Sequence, residues 1–189
     1  MKILCFGDSN TYGYDPRSYF GGQYPAQHRW VDLLARELGC TAINAGETGR
    51  EIPRRESEFD RFHNLLTSQK PIERLLIMLG TNDLLQGISP EAVTARMERF
   101  IDQIDLEPSK ILLIAPPPMK LGAWIPMQAL VDASKELATA YEALSQRLGL
   151  GYANAGEWHI PLAFDGVHLT PEGHVAFAEG LSHYLKKEE

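Results

Sequence analysis

The feature that most constrains the fold of this chain is the regular alternation of short apolar runs with longer amphipathic segments. Three runs are apolar throughout and read as buried strands: 2–6, 74–80 and 110–118, the last ended by prolines. Apolar residues at helical spacing predict four helices: 28–39, 89–105, 127–149 and 170–187. Two weaker strand candidates complete the pattern: 41–44 and 151–155. Because strands alternating with helices form βαβ units, we predict an α/β protein, a three-layer α/β/α sandwich around a parallel sheet.

Length and charge narrow the class of protein. A chain of 189 residues predicts a single domain over 1–189. The formal net charge of −7 argues against nucleic acid or an anionic membrane as a partner, because both select basic surfaces. Two cysteines give no disulfide framework and no cysteine-based metal site. Neither a secretion signal nor a run of about 20 apolar residues is present, which predicts a cytoplasmic protein.

The charged segment 49–71 predicts a solvated helix with its connections. Its basic residues Arg50, Arg54, Arg55 and Arg61 alternate with acids, and runs of mixed sign usually face solvent. A contribution of these arginines to substrate binding is the alternative.

Ser9 is the candidate nucleophile. It lies in the stretch CFGDSNTYG, directly after the first buried strand and near the start of whichever helix follows. Backbone N–H groups are free at a helix start, and Gly7 permits a tight turn. The stretch is not Gly-x-Ser-x-Gly, so it is not the nucleophile elbow of the α/β-hydrolases. A plain Gly-Asp-Ser turn is the alternative reading.

The candidate general base is His168, in the stretch FDGVHLTPEGH that leads into the last helix. Asp165 precedes it by three residues, and a carboxylate folded back on an imidazole fixes its tautomer and stabilises the imidazolium. An Asx-turn followed by a surface histidine is the alternative. His174 lies inside the predicted helix, and we expect it to be structural.

Two further stretches supply candidate donors for an oxyanion. Asn82 follows a buried strand in LGTND, and its side-chain amide can donate. The stretch NAGETGRE contains Gly46 and Gly49, either of which can present a backbone N–H. We expect Asp83 to be a structural hydrogen-bonding residue or a helix cap.

The stretches that contain Ser9, Asn82 and His168, together with NAGETGRE, indicate a function more strongly together than singly. The carboxyl ends of parallel strands meet at one edge of a sheet, where sites form in α/β proteins. A nucleophile, a base, an orienting acid and oxyanion donors are the parts that acyl transfer needs. The sequence therefore predicts a serine hydrolase site at this edge.

The stretches FGDSN, NAGETG, LGTND and DGVHLT resemble, in order, the four sequence blocks of the SGNH (GDSL-type) hydrolase superfamily. ILCFGDS, IMLGTND and the prolines after the fourth strand are similar to its bacterial arylesterase and acyltransferase branch. The resemblance implies a flavodoxin-like fold with a five-stranded parallel sheet. It also implies a serine esterase for short acyl esters, with transfer to an alcohol as a side activity and no cofactor or metal.

The resemblance also implies residue roles. Ser9 would be the nucleophile and an oxyanion donor, His168 the base and then the acid, and Asp165 its orienting partner. Asn82 and Gly49 would be the other oxyanion donors, with Gly46 the second choice for the glycine. Asn10 departs from the leucine that the family name leads one to expect.

The substrate pocket is expected to be walled by aromatic residues near this edge. The candidates are Tyr12, Tyr14, Trp124 in the loop 115–126, and Trp158. Packing between helices is the alternative for each of them. The partner implied is a small-molecule acyl ester, and assembly into a homo-oligomer, with Trp124 at the interface, is a further expectation by analogy.

Two other functions use the same residues. Asp8, Asn82, Asp83, Asp165 and His168 are suitable ligand types for a metal-dependent phosphoesterase. A non-catalytic carbohydrate- or acyl-binding module on the same fold is the other alternative.

Overall fold

A computed structural model describes residues 1–18 and 20–187 of the chain. Its centre is one sheet of five parallel strands in the order β2-β1-β3-β4-β5. The strands are β1 (Lys2–Gly7), β2 (Thr41–Gly46), β3 (Arg74–Met78), β4 (Ile111–Ala115) and β5 (Gly151–Asn154). The predicted α/β fold and its five-stranded parallel sheet are confirmed.

In the described part of the chain, seven α-helices connect and cover the strands, and three short 3₁₀ turns lie between them. The α-helices are α1 (Ser9–Tyr12), α2 (Trp30–Leu38), α3 (Glu56–Gln69), α4 (Thr81–Leu85), α5 (Pro90–Ile101), α6 (Gln128–Leu148) and α7 (Pro171–Lys187). Within the described residues, no helix combines the length and the apolar character needed to span a membrane.

Side chains of the central strands point alternately into two separate cores. In β1, Leu4 and Phe6 belong to the core under α3, α5 and α6, whereas Ile3 and Cys5 belong to the core under α2 and α7. All four are at most 4% exposed. The strand is therefore covered on both faces, which is why its sequence is apolar throughout and does not alternate with polar residues.

The helix that carries Ser9 lies unusually close to the sheet because of two glycines. Gly7 and Gly46 face each other as the last paired residues of β1 and β2. A methyl group on Gly46 would lie 2.1 Å from the backbone nitrogen of Tyr12, and one on Gly7 would lie 2.0 Å from Oγ1 of Thr11. Only residues without a side chain allow α1 to pack at this distance.

Several element boundaries differ from the sequence-based ones. Residues 26–28 form a 3₁₀ turn, so α2 begins at Trp30 and not at residue 28. α5 ends at Ile101, four residues earlier than predicted. The strand predicted over 74–80 ends at Met78, because Gly80 has a φ of +119° and opens the short helix α4.

Candidate active site

Ser9 is the first residue of α1, immediately beyond the carboxyl end of β1. Asp8 caps this helix, since its Oδ1 accepts a hydrogen bond from the Asn10 N–H at 2.9 Å. Gly13, with a φ of +88°, ends the helix after one turn. Ser9 as a whole is 7% exposed, and it lines a pocket.

His168 and Asp165 lie in line with Ser9, although 159 residues separate the serine from the histidine. The Ser9 Oγ is 2.9 Å from Nε2 of His168, and Nδ1 of His168 is 2.7 Å from Oδ2 of Asp165. All three side chains are buried. The predicted nucleophile, base and orienting acid therefore form one continuous row of hydrogen bonds.

The loop that carries His168 is held in shape by its own hydrogen bonds. Oδ1 of Asp165 accepts the backbone N–H groups of Val167 and His168 at 2.9 and 3.0 Å. The His168 carbonyl accepts the N–H of Ala163 at 2.7 Å. Burial by itself would raise the pKa of Asp165, but the hydrogen bonds from the imidazole and backbone of His168 and from Val167 hold that pKa below its ordinary value. Asp165 is thus ionised when it faces the imidazole at neutral pH.

The candidate oxyanion donors fall on two sides of the same pocket. Asn82 lies in α4, and Nδ2 donates one hydrogen to the carbonyl of Arg50 at 3.0 Å, which leaves its second hydrogen for another acceptor. Gly49, with a φ of +74°, lines the pocket together with Ser9 and Asn82. The N–H of Gly46 donates to Oδ1 of Asn44 at 2.9 Å, so this glycine supports the turn and its N–H is already paired.

Arg50, which the sequence placed in a charged segment expected to be a solvated face, is a structural element of the site. Its guanidinium donates to the carbonyl of Gly7 at 2.7 Å and also to the carbonyl of Ala45, and it lies over the ring of Phe6 at 4.3 Å. It therefore joins the ends of β1 and β2 beneath Ser9.

The pocket above Ser9 has a volume of ≈260 Å³ and is mainly apolar. Trp124 meets the His168 ring edge-on, with the centroids 5.1 Å apart, and the ring of Tyr14 is tilted against the same imidazole at 4.7 Å. Leu85 and Val167 complete the apolar wall. Sequence reasoning missed these last two, because an isolated apolar residue in a connecting segment carries no distinguishing pattern.

Two aromatic residues expected at the pocket lie elsewhere. Tyr12 does not line the pocket; its carbonyl accepts a hydrogen bond from Gln23, and its backbone lies close to Gly46. Tyr14, which follows the αL turn at Gly13, lines the pocket as expected. Trp158 packs edge-on against Phe177 at 5.1 Å in the core beneath α7.

Charged residues near the site are buried and specifically paired. Asp83 is fully buried and accepts hydrogen bonds from the Ile52 N–H at 3.1 Å and from Arg96 at 2.8 Å, which is the structural role expected of it. Burial raises the pKa of Asp8 to about 6, against the hydrogen bond from Asn10 and the attraction of His168 and Arg50. The charge on the residue beside Ser9 therefore changes near pH 6.

The proposed metal ligands are engaged in other ways. Asp83 is held by Arg96, and Asp165 is held by His168. Among residues 1–18 and 20–187, no group of three or more His, Cys, Asp or Glu side chains is arranged to hold a metal ion. The arrangement does not favour a metal-dependent phosphoesterase.

His174, the other histidine of this stretch, has a structural role. It is fully buried under α2, where Nδ1 accepts the Trp30 N–H at 3.3 Å and the ring meets Tyr24 edge-on at 5.5 Å. Burial lowers the pKa of His174 to about 3, with repulsion from Arg29 and the other histidines adding to the effect. It is the neutral core histidine that its position in the predicted helix suggested.

A parallel α/β sheet with serine, histidine and aspartate in hydrogen-bond contact at its carboxyl edge is the arrangement of a serine hydrolase. The model of the GDSL-like lipase/acylhydrolase family matches residues 5–176. The chain belongs to this family and is an ester hydrolase, as the four sequence blocks predicted.

Solved structures agree with this assignment over almost the full chain. A putative arylesterase from Agrobacterium tumefaciens is 28% identical with a TM-score of 0.86, covering 98% of each chain. A carbohydrate acetylesterase family member from Sinorhizobium meliloti is 26% identical with a TM-score of 0.85, covering 98% of this chain and 97% of the other. The M. smegmatis aryl esterase, at 23% identity and a TM-score of 0.81 over 98% of each chain, shares the fold. No curated protein matches the sequence significantly.

The neutral state of His174 predicts a loss of stability in acid. Since the pKa is about 3 in the folded chain and about 6.5 in the unfolded one, the unfolded chain alone binds a proton here between these values. This contribution is complete above pH 6.5 and falls by about 1.4 kcal/mol per unit as the pH drops towards 3. From pH 7 to pH 5, the wild type should lose about 2 kcal/mol more than His174→Gln in urea unfolding.

The matched control is His183→Gln, at an exposed position on the same helix. It should follow the wild-type pH dependence. If His174→Gln also runs parallel to the wild type between pH 7 and pH 5, the neutral buried state assigned to His174 is wrong.

Proposed function

We propose that the protein hydrolyses short-chain acyl esters through an acyl-enzyme on Ser9. The observation that carries the proposal is the buried row of hydrogen bonds from the Ser9 hydroxyl through His168 to Asp165. In this mechanism His168 takes the hydroxyl proton as Ser9 attacks the ester carbonyl, and then gives it to the departing alcohol. Asp165 keeps the proton of His168 on Nδ1 and stabilises the imidazolium. Water, activated by the same histidine, releases the acid.

The oxyanion formed by the attack would be bound by three donors. They are the backbone N–H of Ser9, the backbone N–H of Gly49 and the second Nδ2 hydrogen of Asn82. Two facts favour Gly49 over Gly46: Gly49 lines the pocket, and the N–H of Gly46 is paired with Asn44. Donors held rigidly where charge develops contribute more than flexible ones, because no reorganisation is needed during the reaction.

The pocket is consistent with a short acyl group. The reacting ester would occupy a space of ≈260 Å³, which is bounded by Tyr14, Leu85, Trp124 and Val167. An acetyl or butyryl chain needs only the space between these walls, whereas a long chain would have to leave along Trp124, which is 50% exposed.

A second, polar cleft adjoins this pocket and suits the alcohol part of the ester. Its volume is ≈370 Å³, and Thr48 and Gly49 line both spaces. Its charged lining consists of Glu47, Arg50, Glu51, Arg54, Arg55, Glu58 and Arg61. The arginines expected to form a solvated face therefore surround a concave surface.

Ion pairs hold these charges in place, as between Arg54 and Glu51 at 3.4 Å and between Arg61 and Glu47 at 3.8 Å. Donors and acceptors alternating in this way match hydroxyl groups, each of which can donate and accept. We infer that the leaving alcohol is polar and rich in hydroxyl groups. The carbohydrate acetylesterase from Sinorhizobium meliloti at 26% identity supports this inference. An alcohol bound in the cleft would also accept the acyl group in place of water, which gives the transferase side activity.

A series of p-nitrophenyl esters from acetate to decanoate tests the reaction and the acyl length together. Wild type should turn over acetate and butyrate, with kcat/KM falling along the series, and Ser9→Ala should lose almost all activity because it lacks the hydroxyl that contacts His168. Equal rates for the two proteins would show that Ser9 is not the nucleophile and would return the metal-dependent and binding-module readings to consideration. A preference for decanoate would contradict only the proposal that the pocket accepts a short acyl group.

Asn82→Ala tests the oxyanion site. Removing one such donor typically lowers turnover by about 10²–10³-fold. We expect a loss of this size in kcat on p-nitrophenyl acetate with little change in KM, because the donor acts on the charge that develops during the reaction. Asn64→Ala, on the exposed face of α3, is the control for loss of an amide. A change confined to KM would assign Asn82 to substrate binding.

Arg61→Gln tests the polar cleft. Removing one charged hydrogen-bond donor costs about 1.5–3 kcal/mol, or roughly 10–100-fold, where it binds substrate. We expect this loss in kcat/KM for a monoacetylated sugar and no loss for p-nitrophenyl acetate, whose alcohol lacks hydroxyl groups at this reach. Arg36→Gln, on the exposed surface of α2, should leave both unchanged. Equal effects of Arg61→Gln on the two substrates would contradict the assignment.

A further inference from the structure

Asn10, the residue at which this chain departs from the GDSL sequence, has a side chain directed at the loop of His168. Its Nδ2 donates to the carbonyl of Val167 at 3.1 Å, and its Oδ1 accepts the N–H of Leu169 at 3.0 Å. One amide therefore binds the residue before His168 and the residue after it, from the position next to Ser9. We propose that Asn10 is a positioning residue that fixes His168 relative to Ser9; this rests on the roles proposed above for those two residues.

The amide of Asn10 fits this place in only one orientation. The oxygen faces an N–H group and the nitrogen faces a carbonyl, so a turn of the amide by 180° would set donor against donor and acceptor against acceptor. Asn10 is 5% exposed, and its backbone is held as well: its N–H donates to Asp8 and its carbonyl accepts the indole N–H of Trp30 at 3.0 Å. The amide is thus a rigid bridge.

The connections of the histidine loop show why such a bridge is needed. The first half of the loop is attached to another loop, through the N–H of Ala123 to the Phe164 carbonyl at 3.0 Å and the N–H of Trp124 to the Asp165 carbonyl at 3.1 Å. These bonds orient Asp165, but they do not connect the loop to α1.

The second half of the loop meets α1 through two side chains. One is His168 itself, whose contact with Ser9 has to change during the reaction. The other is Asn10, whose two bonds do not involve the reacting atoms. Asn10 therefore holds the imidazole of His168 at a fixed distance from the Ser9 hydroxyl during proton transfer. A leucine at this position, as in the family name, would provide neither bond.

The consequence for the reaction follows from geometry. Misplacement of a reacting group by about 1 Å can cost about 10²-fold in rate. We expect Asn10→Leu to lower kcat on p-nitrophenyl acetate by about this factor, with KM changed less than threefold, because the pocket walls do not include Asn10. Asn10→Asp keeps the acceptor for Leu169 but sets a second acceptor against the Val167 carbonyl, and should also lower kcat.

A double-mutant cycle with His168→Ala separates positioning from a general effect on folding. Residues that act as a unit are not additive. Asn10→Leu should lower activity in the wild-type background and should have no effect once His168 is alanine. Thr11→Val is the matched control: it replaces the next residue of the same helix, whose buried hydroxyl has no hydrogen-bond partner among the described residues. It should not reproduce the loss in kcat.

The outcomes are distinct. If Asn10→Leu reduces the residual activity of His168→Ala by the same factor as in the wild type, or leaves wild-type kcat unchanged, the positioning role is wrong. If His168→Ala is itself as active as the wild type, the proposed catalytic row fails, whatever Asn10 does. If Asn10→Leu does not fold, the same double-mutant cycle with His168→Ala is measured with the nearly isosteric Asn10→Asp, and its result tests the positioning role.

Discussion

The close approach of α1 to the ends of β1 and β2 is the constraint on which the rest of the site depends. It requires Gly7 and Gly46, since any side chain there would overlap α1. Arg50 then joins the two strand ends through the Gly7 and Ala45 carbonyls. Ser9 therefore stands on a base made of backbone, whose position changes little during a reaction.

The catalytic row combines this rigid base with a separate loop. Asp165 organises the loop through its two backbone hydrogen bonds and aligns His168 through the third. The loop is attached on one side to the segment that carries Trp124, so the same segment positions the acid and supplies a wall of the acyl pocket. In the proposed mechanism, recognition of the substrate and alignment of the base would therefore share one support. The proposed bridge through Asn10 would complete the support on the other side.

Burial and hydrogen bonding act differently on the pKa of each ionisable residue near the site. Asp165 has a lowered pKa because donors surround it, Asp8 has a raised pKa because burial dominates, and His174 is kept neutral in the core. Asp165, Asp8 and His174 therefore change their charge at different pH values. The difference follows from how many donors reach each group in the folded chain.

Sequence alone was sufficient for the fold and the family, and it identified Ser9, Asp165 and His168, which the structure brings into hydrogen-bond contact; the catalytic roles of these residues and of Asn82 and Gly49 remain proposals. Apolar runs report burial on both faces of a strand, and the order of strands and helices restricts the topology. Only the tertiary structure showed that Gly49 lines the pocket while the N–H of Gly46 is paired, that Tyr14 lines the pocket, that Trp158 packs against Phe177, and that a polar cleft adjoins the pocket. It also showed where the Asn10 amide points. Each of these depends on contacts between segments far apart in the chain, or on the φ angle of one residue, and local sequence patterns carry no information about either.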